Sequence, residues 1–211
     1  YGGGGQSYHS YIAAVEELAK VDGSQAATVA AHNSLGVVPI YLYGTDSQKK
    51  ELLPDLCTGR GLWAFGLTES EAGSDAQASQ TKAVWHADKN AWLINGSKIW
   101  ITNSACNLTQ GITVQAVTGS RSDGRPEMSC FLVSAKQAGL VQKVMHGKMM
   151  WRASNTGELV FENISLDEET ILGARGSGFK IMMETLNFYQ NIKMIKKLLI
   201  FLIKIKNLTK E

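Results

Sequence analysis

Through the first quarter of the chain, apolar positions recur every three or four residues. Tyr11, Ile12, Val15, Leu18 and Ala19 form one face and Glu16, Glu17 and Lys20 the other, which predicts helix over residues 6–33. Asp22-Gly23-Ser24 interrupts it, with Ser24 placed to cap an alanine-rich helix reaching about Ala31. Alanine there predicts close helix–helix packing. Thr45 or Asp46 caps a short helix from Gln48 to Leu53, and Pro54 and Gly59 end the helical region. From Trp63 the pattern becomes strand-like. Lys82–His86 and Ala91–Ile94 flank Ala87–Asn90 as a hairpin, and Asn95-Gly96 marks a further turn before Lys98–Thr102. Gly111–Val117 and Met128–Val133 are strands around a Ser120–Pro126 loop, followed by Leu140–Val144 and Glu158–Glu162. Short strands with regular turns predict a barrel or sandwich. Gly173 and Gly176–Gly178 close that block, and Phe179–Leu186 opens a new helix with Phe179, Met182, Met183 and Leu186 on one face.

Two stretches carry the candidate chemistry. The apolar run Trp63–Leu67 stops in Thr68-Glu69-Ser70-Glu71-Ala72-Gly73-Ser74-Asp75, as a strand end does where backbone and hydroxyls meet a polar ligand. In Trp100-Ile101-Thr102-Asn103, strand alternation would put the Trp100 indole and the Thr102 hydroxyl on one face. An aromatic plane beside a hydroxyl suits a planar heteroaromatic ligand; the bland alternative for Trp100 is core filling. Glu69, Glu71 and Asp75 could form an acid/base site, against the simpler reading that they cap turns and hold the loop.

Composition removes several function classes. Residues 187–211 hold six lysines and one glutamate, a local +5, while the other 186 residues carry 15 basic and 18 acidic side chains, so the main body has no basic stripe for nucleic acid. His9, His32, His86 and His146 show no ligand spacing, so no metal site is expected. Cys57, Cys106 and Cys130 are too far apart for a disulfide framework, which favours a reducing compartment and small buried roles. The Gly173–Gly178 run does not follow a strand into a dinucleotide-binding helix, so a Rossmann reading is poor.

At these residues the chain resembles a known family. Gly66 through Ala78 resembles the signature of the acyl-CoA dehydrogenases, and Trp100–Asn103 their second flavin-contacting segment. The likeness covers roughly residues 1–186. It includes Tyr1-Gly2-Gly3, Ala31–Gly36, Gly44–Lys50, Ile94–Lys98, Arg152–Thr156 and Leu159–Asn163. It implies an α+β multidomain fold: an N-terminal helical domain (1–60, partial), a middle antiparallel β-barrel (61–170) and the start of a C-terminal helical bundle (171–186). It also implies FAD as cofactor. Phe65, Gly66, Leu67, Thr68, Gly73 and Ser74 would lie along the flavin, with Thr68 bonding near its pyrimidine edge. Trp100 would stack on the ring system beside Ile101, and Thr102 would bond near N5. Ser74 would also meet the substrate. Arg152 stands in a matched motif, as ion-pair member or ligand contact.

The implied activity is α,β-dehydrogenation of a short, medium or branched acyl-CoA, with hydride transfer to flavin N5. The implied partners are electron-transfer flavoprotein as acceptor and copies of the same chain in a dimer or tetramer. Acyl-CoA oxidases and flavin monooxygenases of the same superfamily are rivals, as is a non-catalytic flavin- or CoA-binding remnant. In most of the family the base is a glutamate beyond position 211; in a minority it falls around Tyr189 or Gln190, neither a carboxylate. No catalytic residue is therefore assigned, and the chain alone is expected not to turn over. Where the family has an aspartate and soon an arginine, Asn187 stands and no arginine follows. The tail, 187–211, reads as translated out-of-frame or unspliced sequence. The alternative, a basic amphipathic membrane-seeking helix, has an apolar run of only six residues, Leu198–Ile203. The expected location is the cytoplasm of a bacterium or the mitochondrial matrix.

Overall fold

The structure, a computed structural model, describes residues 1–188. Helix α1 (Tyr8–Val21) starts at Ser7, whose hydroxyl accepts from the Ser10 amide at 3.2 Å, and buries Ile12 and Val15. Asp22 ends α1 and caps α2 (Gly23–Ala31), its carboxylate accepting from the Ser24 amide at 2.7 Å. The cap is thus Asp22 and not Ser24, because an acceptor must precede the free helical amides to reach them. Ala26 and Ala30 pack on Val15, the close approach that alanine allows.

A π-helical turn, His32–Val37, leads into α3 (Val38–Tyr43). Gly36 lets this turn press on the sheet: a Cβ there would lie 2.3 Å from the Trp63 carbonyl oxygen. Helix α4 (Asp46–Cys57) opens with a reciprocal cap, Gln48 amide to Thr45 hydroxyl at 3.2 Å and Thr45 amide to Gln48 side chain at 2.9 Å. Pro54 lies inside α4 instead of ending it. It removes one amide donor so near the C-terminus that a single turn follows, closed by the Thr58 amide and hydroxyl on the Pro54 carbonyl.

The strands are β1 (Leu62–Gly66), β2 (Lys82–His86), β3 (Ala91–Thr102), β4 (Thr109–Ser120), β5 (Pro126–Ser134), β6 (Leu140–Val144), β7 (Thr156–Leu166) and β8 (Ile171–Leu172). They form one sheet in the order β6-β7-β3-β2-β4-β5-β8, with β1 added on β4. The expected antiparallel barrel does not form. β1 runs parallel to β4 and β2 meets β4 in parallel at Lys82↔Val117, so the sheet is mixed; β6 and β8 stand at opposite ends of the order, so it is open. Side chains alternate alike in parallel and antiparallel strands, so the residue pattern carries no sign of direction. The β2–β3 hairpin, interposed between β1 and β4, is the crossover that makes the pair parallel.

That hairpin forms as the pattern predicts, from Lys82↔Asn95 to His86↔Ala91, with Asn90 left-handed at φ 47°. Asn95-Gly96 is a bulge within β3 and not a turn: Gly96 has φ 147° and the register against β7 slips there. One sheet face buries Ile94, Ile112, Val114, Phe131, Leu159 and Ile164. The other buries Trp63, Phe65, Cys130, Leu132 and Leu172 against Ile40, Leu53, Leu56, Ile181 and Met182 from the helices. Helical turns over residues 178–188 bury Ile181, Met182 and Thr185, with Met183 and Leu186 at the core's edge. The buried stripe is therefore rotated from the predicted Phe179-Met182-Met183-Leu186 face. From Tyr189 onward the lysine-rich tail, with Gln190, lies outside the described residues. No helix of the described residues is long and apolar enough to cross a membrane. All three cysteines are free, and only Cys130 is fully buried.

His32 joins the two layers. Its Nε2 bonds the Leu56 carbonyl at 3.0 Å, and its Nδ1 accepts from the Trp63 amide at 3.2 Å. Only the neutral ring protonated on Nε2 serves both. Burial pulls its pKa below the ordinary 6.5, so the unfolded chain takes up this proton first. The stabilisation is complete above about pH 6.5 and is lost as pH falls below it. Urea titrations at pH 7.5 and 5.5 will show that loss in the wild type, and a smaller one in His32→Gln. Gly36→Ala will lower stability by about 1–3 kcal/mol, because the neighbour that must yield is strand backbone; a melting temperature equal to wild type would refute this.

Candidate functional site

The two chemistry-bearing stretches meet at one cleft. Phe65, Leu67 and Thr68 come from β1 and the residues after it, and Trp100, Ile101 and Thr102 from the end of β3. Ala31, Leu35 and Leu186 close the cleft from the helical side, over a volume of about 150 Å³. Trp100 is 59% exposed, unusual for so large an apolar ring, and its backbone is left-handed at φ 61°. The β3–β7 register slips between Lys98 and Ile101. A bulge therefore replaces the alternation expected here: Ile101 lines the cleft together with Trp100 and Thr102, which a regular strand would forbid. Hydrogen bonds flank the strained residue, Ile99 amide to Thr68 carbonyl at 2.9 Å and Asn103 amide to Asn155 carbonyl at 3.0 Å. The Thr68 and Thr102 hydroxyls bond to no other described residue.

The other predicted residues lie apart from this lining. Gly66 is buried in β1 against Ile112, while Gly73 and Ser74 are exposed on the loop beyond Glu69. No side chain lining the cleft is titratable. Asp75 caps a short turn through the Gln77 amide at 3.1 Å. Arg152 donates to the Lys148 carbonyl at 3.0 Å, beside a separate cleft between β6 and β7. Among the described residues, no three His, Cys, Asp or Glu side chains are grouped to hold a metal ion.

Beneath the cleft lies a buried ion pair. Lys98 has no exposed side-chain surface, and its Nζ donates to Glu69 Oε1 at 2.7 Å, the Leu67 carbonyl at 3.1 Å and Ser79 Oγ at 3.3 Å. Glu69 also accepts from Ser79 Oγ and the Gln80 amide, both at 2.6 Å, and the Thr81 amide at 3.1 Å. Burial alone would raise the Glu69 pKa, but the Lys98 charge and these donors outweigh it and hold it at about 2. Burial pushes Lys98 the other way, below the usual lysine range, and Glu69 opposes that shift. Glu69 thus holds the loop, the simpler of its two readings. Sequence reasoning passed over Lys98; the available signal was a lysine in an apolar strand two residues before the Trp100–Asn103 motif, with a carboxylate-rich loop nearby. Lys98→Met alone leaves a buried, unpaired carboxylate and will destabilise the fold by about 3–5 kcal/mol, measured by denaturant unfolding at neutral pH.

The family model "Acyl-CoA dehydrogenase, N-terminal domain" matches residues 1–60, and "Acyl-CoA dehydrogenase, middle domain" matches residues 64–164. Probable acyl-CoA dehydrogenase YngJ of Bacillus subtilis is 42% identical over 89% of this chain and 48% of its own length. Butyryl-CoA dehydrogenase of Megasphaera elsdenii superposes with a TM-score of 0.81 at 40% identity, over 88% of this chain and 48% of that one. An acyl-CoA dehydrogenase of Bacillus anthracis, solved with FAD, gives 0.80 at 35% identity, over 89% and 32%. A chain from the structure of the electron transferring flavoprotein of Acidaminococcus fermentans gives 0.82 at 42%, over 90% and 48%. The chain belongs to the acyl-CoA dehydrogenase family, and it spans about half the length of the curated relatives it matches.

Proposed function

We propose that this chain supplies the flavin face of an FAD-dependent acyl-CoA dehydrogenase acting on a short acyl-CoA such as butyryl-CoA. One observation carries the reading: Thr68, Trp100 and Thr102, from two distant stretches, converge on one apolar cleft with unengaged hydroxyls and an exposed indole. A flat heteroaromatic ring fits such walls, since the indole offers a stacking plane and each threonine a donor or acceptor at the ring's edge. Bound there, FAD would accept the hydride from the acyl chain. Thr102 would orient the ring near N5, Thr68 its pyrimidine edge, and Phe65, Leu67 and Ile101 would exclude water. Ser74, exposed on the loop, would meet the thioester's CoA part as it approaches. Regions 1–60 and 61–170 would serve as the helical and flavin-contacting domains, with 171–186 opening a further helical one.

The cleft lining holds no proton acceptor, so the described residues bind and orient while the base comes from outside them. Electron-transfer flavoprotein would be the acceptor and further copies of the chain the assembly partners, as the family likeness implies. FAD titration followed by tryptophan emission tests the reading. The wild type will bind FAD with quenching; Trp100→Ala will lose most of the quenching, and Thr102→Ala will weaken binding by about tenfold, the scale of one hydrogen bond. Absence of FAD binding, or equal binding by both variants, would defeat the proposal. Addition of butyryl-CoA will perturb the bound flavin spectrum without bleaching it, and bleaching would place a base within the chain.

A further inference from the structure

We infer that the buried Lys98–Glu69 pair is a positioning device that sets the spacing between the two halves of the flavin face; this rests on the flavin reading above. Its contacts are distributed as a clamp. Lys98 holds the loop where it leaves β1, through the Leu67 carbonyl and Glu69, and Glu69 gathers the loop's far end through Ser79, Gln80 and Thr81. Between them, Gln115 on β4 donates to the Ala76 carbonyl at 3.2 Å. Both ends of the 67–81 segment are thus pinned to strands, while its tip at Gly73 and Ser74 stays exposed.

The pair also stands next to the bulge. Lys98 is the last residue in register with β7 before the slip that ends at Ile101, and Ile99 bonds the Thr68 carbonyl. Thr68 and Trp100 are therefore each within two residues of a member of the pair. Stability gives a poor account of it, because well-packed apolar residues usually serve a core as well as a buried ion pair does. What a lysine–carboxylate pair adds is directional: an ammonium and a carboxylate that must be satisfied at fixed angles hold the loop in one place.

The discriminating protein is Lys98→Met/Glu69→Gln, which leaves no buried charge and so keeps the fold that Lys98→Met alone destabilises. Two readouts are taken on the full chain: amide hydrogen exchange over residues 67–81 without ligand, and FAD affinity with the visible absorption and circular dichroism of the bound flavin. In the double variant, folded by its melting transition, these amides will exchange about tenfold faster. FAD will bind about tenfold more weakly, with a changed flavin spectrum. Unchanged exchange in the folded variant overturns the clamp. A loosened loop with unaltered affinity and spectrum overturns its role in positioning. Wild-type chain that binds no FAD overturns the flavin reading instead, and the exchange result then still decides whether the clamp exists.

Discussion

An ammonium group with no access to water governs the geometry around the cleft. Lys98 points into the protein from a strand, and in so poor a dielectric its charge demands a carboxylate and further acceptors at short range. The chain meets that demand locally with Glu69, the Leu67 carbonyl and Ser79, all on the segment following β1. A loop carrying glycine, serine and acidic residues would otherwise have many conformations. Here its two ends are held, and the Thr68 hydroxyl and the Trp100 indole come to one place.

The helical layer depends on a second internal bond system. His32 spans from the Leu56 carbonyl near the end of α4 to the Trp63 amide of β1, and Gly36 removes the side chain that would keep the π-turn away from Trp63. These contacts place Ala31 and Leu35 over the cleft, so that it has walls from both layers. The π-turn lies between α2, whose Ala26 and Ala30 pack on α1, and α3, whose Ile40 packs on the sheet.

Under the proposed flavin reading, protein and cofactor would divide the labour. The lining is apolar, with hydroxyls at its edge and no group able to take a proton. Such a surface can bind and orient a redox ring, whose own chemistry supplies the electron transfer. The family relatives are about twice as long as this chain, which gives room in them for residues that the described cleft does not contain.

The sequence by itself determined the elements whose signals are local. The cap at Thr45, the hairpin around Ala87–Asn90 and the alternating strands were legible because each depends on neighbours a few residues away. The family motifs likewise marked Thr68, Trp100 and Thr102. Only the tertiary structure decided the direction of β1, the open sheet and the bulge that brings Ile101 into the cleft with Trp100. It alone also showed that Lys98 is buried, that Glu69 is its partner, and that Gly73 and Ser74 stand outside the lining. Each of these follows from pairing between distant segments: side-chain alternation is blind to strand direction, and burial of a charge depends on what packs over it.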